Sequence, residues 1–156
     1  MKSADFGLQE KDYCFGKLKD IDMKKRTVVG YLSSFDNIDR DGDIITKGAF
    51  KKSLQERKSE IRFLNQHDWK QPHGYFAELE EDDYGLYFVS NPLIDTTFSS
   101  DVLKMYEAEI IDEHSIGFEV VKKEYKEGVR YLNELKLYEG SNVTMASNPL
   151  AKLREV

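Results

Sequence analysis

The sequence predicts a mainly β member of the α+β class: a small antiparallel β-barrel or curled sheet of about seven strands, flanked by two or more helices. Three observations lead there. Long segments alternate apolar and polar residues and are rich in β-branched and aromatic side chains, the pattern of half-buried strands. Turn signals built on glycine and aspartate separate several of them. Only two segments carry helical periodicity. The chain has 156 residues and three prolines, with no internal repeat and no low-complexity tract. Residues 1–156 therefore read as a single domain, large enough to bury roughly 70% of its unfolded surface.

The strand segments are "RTVVGYLSSF" (26–35), "AELEEDDYGLYFVSN" (77–91), "SIGFEVVKKEY" (115–125) and "VRYLNELKLYE" (129–139). Hairpin turns are predicted at "DDYG" and "KEGV", where aspartate or glycine supplies the backbone geometry. The helical segments are "KGAFKKSLQERKSE" (47–60), with Phe50 and Leu54 four apart, and "DTTFSSDVLKMYEAEI" (95–110). The second offers Asp95 and Thr96 as N-caps and a core-facing stripe of Phe98, Val102 and Met105 or Tyr106.

Composition narrows the function classes. Hydrophobic residues make up 40% and charged residues 33%, the balance of a globular protein with a heavily charged surface. No window approaches the roughly 18 uninterrupted apolar residues of a membrane span, and "MKSADFGLQEKDYCFG" lacks a signal-peptide core. No membrane partner is expected. Net charge is −6, and basic residues come in short groups such as Lys24-Lys25-Arg26 and Lys122-Lys123, read as turns and solvated strand faces. A nucleic-acid partner is likewise not expected. The single cysteine, Cys14, excludes an intrachain disulfide and fits a reducing cytoplasm. Between Tyr13 and Phe15 it reads as a packing residue on a strand.

One loop invites a calcium test. In "NIDRDGDIITKG" (37–48), Asn37, Asp39, Asp41 and Gly42 match positions one, three, five and six of an EF-hand loop. The closing position is Gly48 where a bidentate glutamate belongs, and the preceding segment reads as a strand. An aspartate-rich turn capping backbone amides is the better reading. A second metal candidate, His67 with His73, fails on spacing: six residues fit neither a helix face nor a strand face, and no third ligand is at hand. No cofactor or metal is expected.

The chemistry-bearing residues are a serine and three histidines. "EHSIGF" sets His114 beside Ser115, but on a strand neighbours point to opposite faces. Ser115, Gly117 and Glu119 share one face; His114, Ile116 and Phe118 share the other. A serine nucleophile needs a base that is itself oriented by a third group. His67, at the end of an apolar segment where loops begin, is the best placed base, and Glu139 in "LYEGSNVT" offers the carboxylate. His73, in "PHG", reads as an exposed turn residue. On residues alone this Ser–His–Glu assignment competes with a plainer one, in which the serine is a small strand residue and the glutamate is solvated.

Four stretches in order resemble the prohead (procapsid) maturation proteases of tailed bacteriophages, related in fold to the herpesvirus assemblins. They are "GYLSSFDNIDRDGDIITKGAF", "FLNQHDWKQPHGY", "EIIDEHSIGFEV" and "LYEGSNVTMASNPLA", covering about Val28 to Ala151. The resemblance implies a herpesvirus-protease-like fold and a serine endopeptidase with Ser115 as nucleophile, His67 as general base and Glu139 as orienting acid. It gives Ser141 a structural place and assigns no role to His73 or His114. Gly140 departs from the commoner "E-V-S" and leaves the glutamate in place. The chain ends soon after the last motif, where family members often carry a further tail. The implied substrates are the scaffolding segment of the major capsid protein and the protease itself, by autocleavage in a possible homo-oligomer. The implied location is the assembling procapsid in the host cytoplasm. The alternative is a noncatalytic phage structural β-barrel, tail-tube-like or an inactive relative of the protease.

Overall fold

The computed structural model describes residues 16–39 and 41–146; Cys14 lies outside them. The strands are β1 Gly16–Asp22, β2 Thr27–Ser34, β3 Asp43–Ile45, β4 Arg62–Asn65, β5 Asp68–Glu81, β6 Gly85–Ser90, β7 Glu113–Lys126 and β8 Val129–Val143. Two helices, α1 Lys51–Arg57 and α2 Thr97–Glu107, complete the fold.

Both predicted hairpins form where their turn chemistry lies. Between β5 and β6 the Asp82 carboxylate accepts the amides of Tyr84 (2.8 Å) and Gly85 (3.0 Å), an aspartate turn in which the side chain mimics a backbone acceptor. Between β7 and β8, Lys126 pairs with Val129, and the two loop residues Glu127 and Gly128 both have positive φ, 52° and 80°. That backbone matches the right-handed twist of the strands. Lys24-Lys25-Arg26 lies in the turn from β1 to β2, and Lys122-Lys123 on an exposed stretch of β7, as read.

The sheet order is β3-β8-β4-β5-β6-β2-β1-β7, with an additional β7–β8 pairing. The succession thus curls back on itself, β1 and β7 meeting among the described residues over two residue pairs, Gly16↔His114 and Lys17↔Glu113. Among the described residues the sheet has eight strands, in keeping with the expected seven or so, and it is mixed where an antiparallel one was expected. Both β3 and β4 run parallel to β8, against Arg130–Leu132 and Glu139–Asn142 respectively. The segment between them explains this: α1 carries the chain back so that β4 resumes the direction of β3. It also satisfies the stretch of β8 left between the two partners. The Leu135 amide donates to Ala49 O (3.0 Å). Ser53 Oγ donates to Leu135 O (3.1 Å) and accepts from the Leu137 amide (2.9 Å).

The helices are shorter than their periodicity. Residues 47–50 form a turn, α1 follows, and Lys58–Glu60 is a 3-10 turn. In α2 the cap is Thr96, whose Oγ1 accepts the Ser99 amide (3.2 Å); Val102, Leu103 and Tyr106 are buried. Inside the curl, one apolar cluster joins Leu32, Phe50, Phe63, Phe88, Leu103, Ile116, Phe118 and Leu137. In the acidic loop, Asp39 Oδ1 accepts the amides of Asp41 (2.9 Å) and Asp43 (3.0 Å), the aspartate turn preferred above. Among the described residues no helix is long and apolar enough to cross a membrane.

Candidate active site

Strand β8 is the spine of the site, with β7 on one side and β4 on the other. Gly117 and Arg62 flank Glu139; Ser115 and Leu64 flank Ser141. Register partners share a sheet face, and alternate residues return to it. Ser115, Gly117, Glu139 and Ser141 therefore stand on one face, with the Ser115 and Ser141 Cβ atoms about 5 Å apart by strand geometry. Ile116 and Phe118 point the other way, into the core.

His67 reaches this face through a strained turn. Strand β4 ends at Asn65, which pairs with Asp68, so the β4–β5 hairpin reverses on Gln66 and His67 alone. Both have positive φ, 52° and 59°, as a two-residue type I′ turn requires. Asn-Gly is the favoured pair there. Bulkier side chains cost roughly 1–3 kcal/mol each and persist only where their surroundings over-determine them. The surroundings here belong to β8 and the residue after it. The Gln66 amide donates to Asn142 O (2.9 Å). Gln66 Nε2 donates to Thr144 Oγ1 (2.8 Å), and the Thr144 amide donates back to Gln66 Oε1 (3.3 Å). The His67 amide donates to Ser141 Oγ (3.1 Å).

Held there, the His67 ring meets Glu139: Nδ1–H donates to Oε2 at 2.5 Å. The other carboxylate oxygen, Oε1, accepts the Ser141 hydroxyl at 2.5 Å. Glu139 is thus fixed from two sides, and the Nδ1–H tautomer leaves Nε2 as the nitrogen that can exchange a proton. His67 is 3% exposed, and Ser115, Glu139 and Ser141 are fully buried. In so buried a setting hydrogen bonds of this kind are stronger than in water.

The other two histidines lie elsewhere. His114 occupies the core face, its ring edge-on to Phe88 at 4.9 Å. Nε2 accepts the Tyr106 hydroxyl (2.8 Å) and Nδ1 donates to Tyr31 O (3.1 Å). His73 corrects the sequence reading: it is not an exposed turn residue but lies within β5, 1% exposed. Its Nδ1 meets Ser99 Oγ and its Nε2 meets Asn142 Oδ1, each at 2.7 Å. Burial pushes this imidazole down to about 4, against a smaller opposing effect of the Asn142 hydrogen bond. Both ring nitrogens of His73 are thus engaged by residues other than His67.

Sequence reasoning named Ser115, His67 and Glu139, which the fold brings to one region, took Ser141 as structural although it shares their strand face, and passed over Gln66 and Asn142. Ser141 repeats the face of Glu139 two residues on, a signal that was present. Nothing local marks Gln66 or Asn142, whose roles arise only when β4 lies against β8.

A family profile described as caudovirus prohead serine protease matches residues 16–155. The prohead protease of Enterobacteria phage HK97 is 34% identical over 105 residues, 67% of this chain and 47% of the relative. The chain therefore spans about half the length of the curated relative it matches. Among solved structures, the capsid assembly protease gp21 of bacteriophage T4 superposes with a TM-score of 0.57 at 15% identity. That match covers 85% of this chain and 98% of gp21, and it shows a shared fold. With most of its length matched by the family profile, this chain belongs to the caudovirus prohead serine protease family.

Proposed function

We propose that the chain is a serine endopeptidase of capsid maturation, with Ser115 as nucleophile, His67 as general base and Glu139 as the acid that orients it. The observation that carries this reading is the buried His67–Glu139 hydrogen bond, formed on the strand face that Ser115 shares. Ser141 links the parts further, since it touches both His67 and Glu139 and is the register partner of Ser115. In the reaction, His67 Nε2 takes the Ser115 proton as Oγ attacks a peptide carbonyl, then returns it to the leaving amine; water hydrolyses the acyl-enzyme by the same route. Glu139 holds Nδ1 and stabilises the imidazolium that forms. Because Ser115 is fully buried, a substrate must displace what covers it.

The substrates that fit are capsid or scaffold proteins, the scaffolding segment of the major capsid protein first, and the chain itself, within the assembling procapsid of an infected cell. The names of the HK97 and T4 proteins support that choice. They do not favour a noncatalytic structural barrel.

The test is co-expression with the cognate capsid protein, following its cleavage on gels. Ser115→Ala and His67→Ala are each expected to cost on the order of 10⁴ to 10⁶ in rate. His114→Ala, on the opposite face, is expected to leave cleavage per folded molecule intact. Undiminished processing by Ser115→Ala would overturn the assignment.

A further inference from the structure

A directed chain of hydrogen bonds runs behind the His67 turn. The acceptor atoms fix its direction. Asn142 Oδ1 accepts, so His73 Nε2 carries the proton, and His73 Nδ1 then accepts the Ser99 hydroxyl. Asn142 Nδ2 donates onward to Asn65 Oδ1 (2.9 Å), and Asn65 Nδ2 to Gln71 Oε1 (2.7 Å). Every link points from α2 towards the hairpin, so each strengthens the next. Asn142 is where this chain meets the site: its side chain grips Asn65, and its carbonyl holds the Gln66 amide. Its neighbour Ser141 holds the His67 amide. Three successive residues of the turn are therefore clamped by two successive residues of β8.

We infer that His73 is a positioning residue: by donating from Nε2 it sets the Asn142 amide, which keeps the Gln66-His67 turn left-handed and the His67 imidazole on Glu139. The consequence for catalysis rests on the proposed role of His67; the consequence for turn geometry does not. The arrangement with Ser99 is that of a neutral ring: a protonated one would still donate from Nε2 to Asn142 but would also donate from Nδ1 and reverse the Ser99 hydroxyl. The aromatic surroundings, with Phe63 at 5.0 Å and Phe98 at 5.9 Å from the ring, and the resulting low pKa of about 4 keep it neutral at pH 7. Glutamine can replace both functions, offering an oxygen to Ser99 and an amide nitrogen to Asn142; leucine replaces neither.

The experiment uses the full chain and two readouts: the ring resonances of His67 by NMR, assigned with His67→Ala, and kcat and KM for cleavage of the capsid protein. For His73→Leu we expect displaced or broadened His67 signals and a fall in kcat of about a hundredfold, the scale of a roughly 1 Å misplacement, with KM little changed. His73→Gln should restore the signals and most of kcat. Asn65→Ala, truncated at a half-buried turn position, is the second variant should the leucine substitution fail to fold; it should disturb the same His67 signals. Wild-type His67 signals and kcat in folded His73→Leu, or unmoved His67 signals in Asn65→Ala, would overturn the inference. If the wild type cleaves nothing, the proposed function fails, and the NMR comparison still decides the positioning role.

Discussion

Glu139 has two acceptor oxygens and two donors aimed at them, His67 Nδ1–H and the Ser141 hydroxyl. Glutamine has the same shape but one oxygen and one NH₂ group. In either orientation it faces one of those donors with another donor, and burial makes an unpaired donor there costly. Glu139→Gln is therefore expected to fold, to bind substrate, and to lose about 10²- to 10⁴-fold in kcat because the tautomer of His67 is no longer fixed. Steady-state kinetics on a capsid-derived peptide would check it; a loss under tenfold would remove Glu139 from the mechanism. Strand alternation was enough to separate His114 from Ser115, because a period of two is a property of the strand itself. His73 was misread for a related reason. Pro72 and Gly74 look like turn formers, yet both lie in β5, at a register irregularity against β4, with Gly74 at φ 143°. Irregularities of that kind depend on the partner strand, which a single segment does not reveal.

At the scale of the element, β8 is the part of the fold on which everything else is hung. It pairs with β7 along most of its length, with β3 and β4 on its other edge, and it must pass close over the Leu32 side chain of β2. Gly140 marks that passage, since a Cβ there would stand 2.4 Å from Leu32 Cδ1. The obstruction is the end of a leucine side chain, so it can be relieved by shortening that side chain. Gly140→Ala alone is expected to destabilise by about 1–3 kcal/mol through overpacking, and Leu32→Ala alone by about 2–5 kcal/mol through the cavity it leaves. Together they should cost clearly less than their sum, because the new methyl fills part of the space vacated. Urea denaturation of the three variants measures the coupling, and simple additivity would show that Gly140 is not set by Leu32. The long strands and both helices of this arrangement were legible in hydrophobic period and turn chemistry. The parallel pairings were not, because "DII" in β3 is too short to show alternation and its partner lies far along the chain.

For the molecule as a whole, the buried imidazole of His73 couples folding to pH. Its pKa is about 4 in the folded chain against 6.5 for an ordinary histidine, burial being the main cause and the positive charge of Arg26 a lesser one. The unfolded chain therefore takes up this proton first as pH falls. The sign follows: the contribution is fully present above about pH 6.5, is lost progressively between 6.5 and 4, and changes no further below that. The whole shift corresponds to on the order of 3 kcal/mol, a sizeable share of the roughly 5–15 kcal/mol that holds a domain together. His73→Gln is the necessary comparison, because it keeps the hydrogen bonds and removes the titration. Unfolding free energies measured in urea at pH 7 and pH 4.5 should fall more steeply for the wild type than for His73→Gln. Parallel curves would mean that His73 titrates normally and that its burial is looser than the hydrogen bonds to Ser99 and Asn142 require. Protonation would reverse the Ser99 hydroxyl but leave Nε2 donating to Asn142, so the turn carrying His67 should keep its order until the core itself unfolds. The Gln66 backbone amide, which donates to Asn142 O, should therefore stay protected from exchange down to the unfolding pH in both the wild type and His73→Gln, and early loss of protection in the wild type alone would show the turn loosening first.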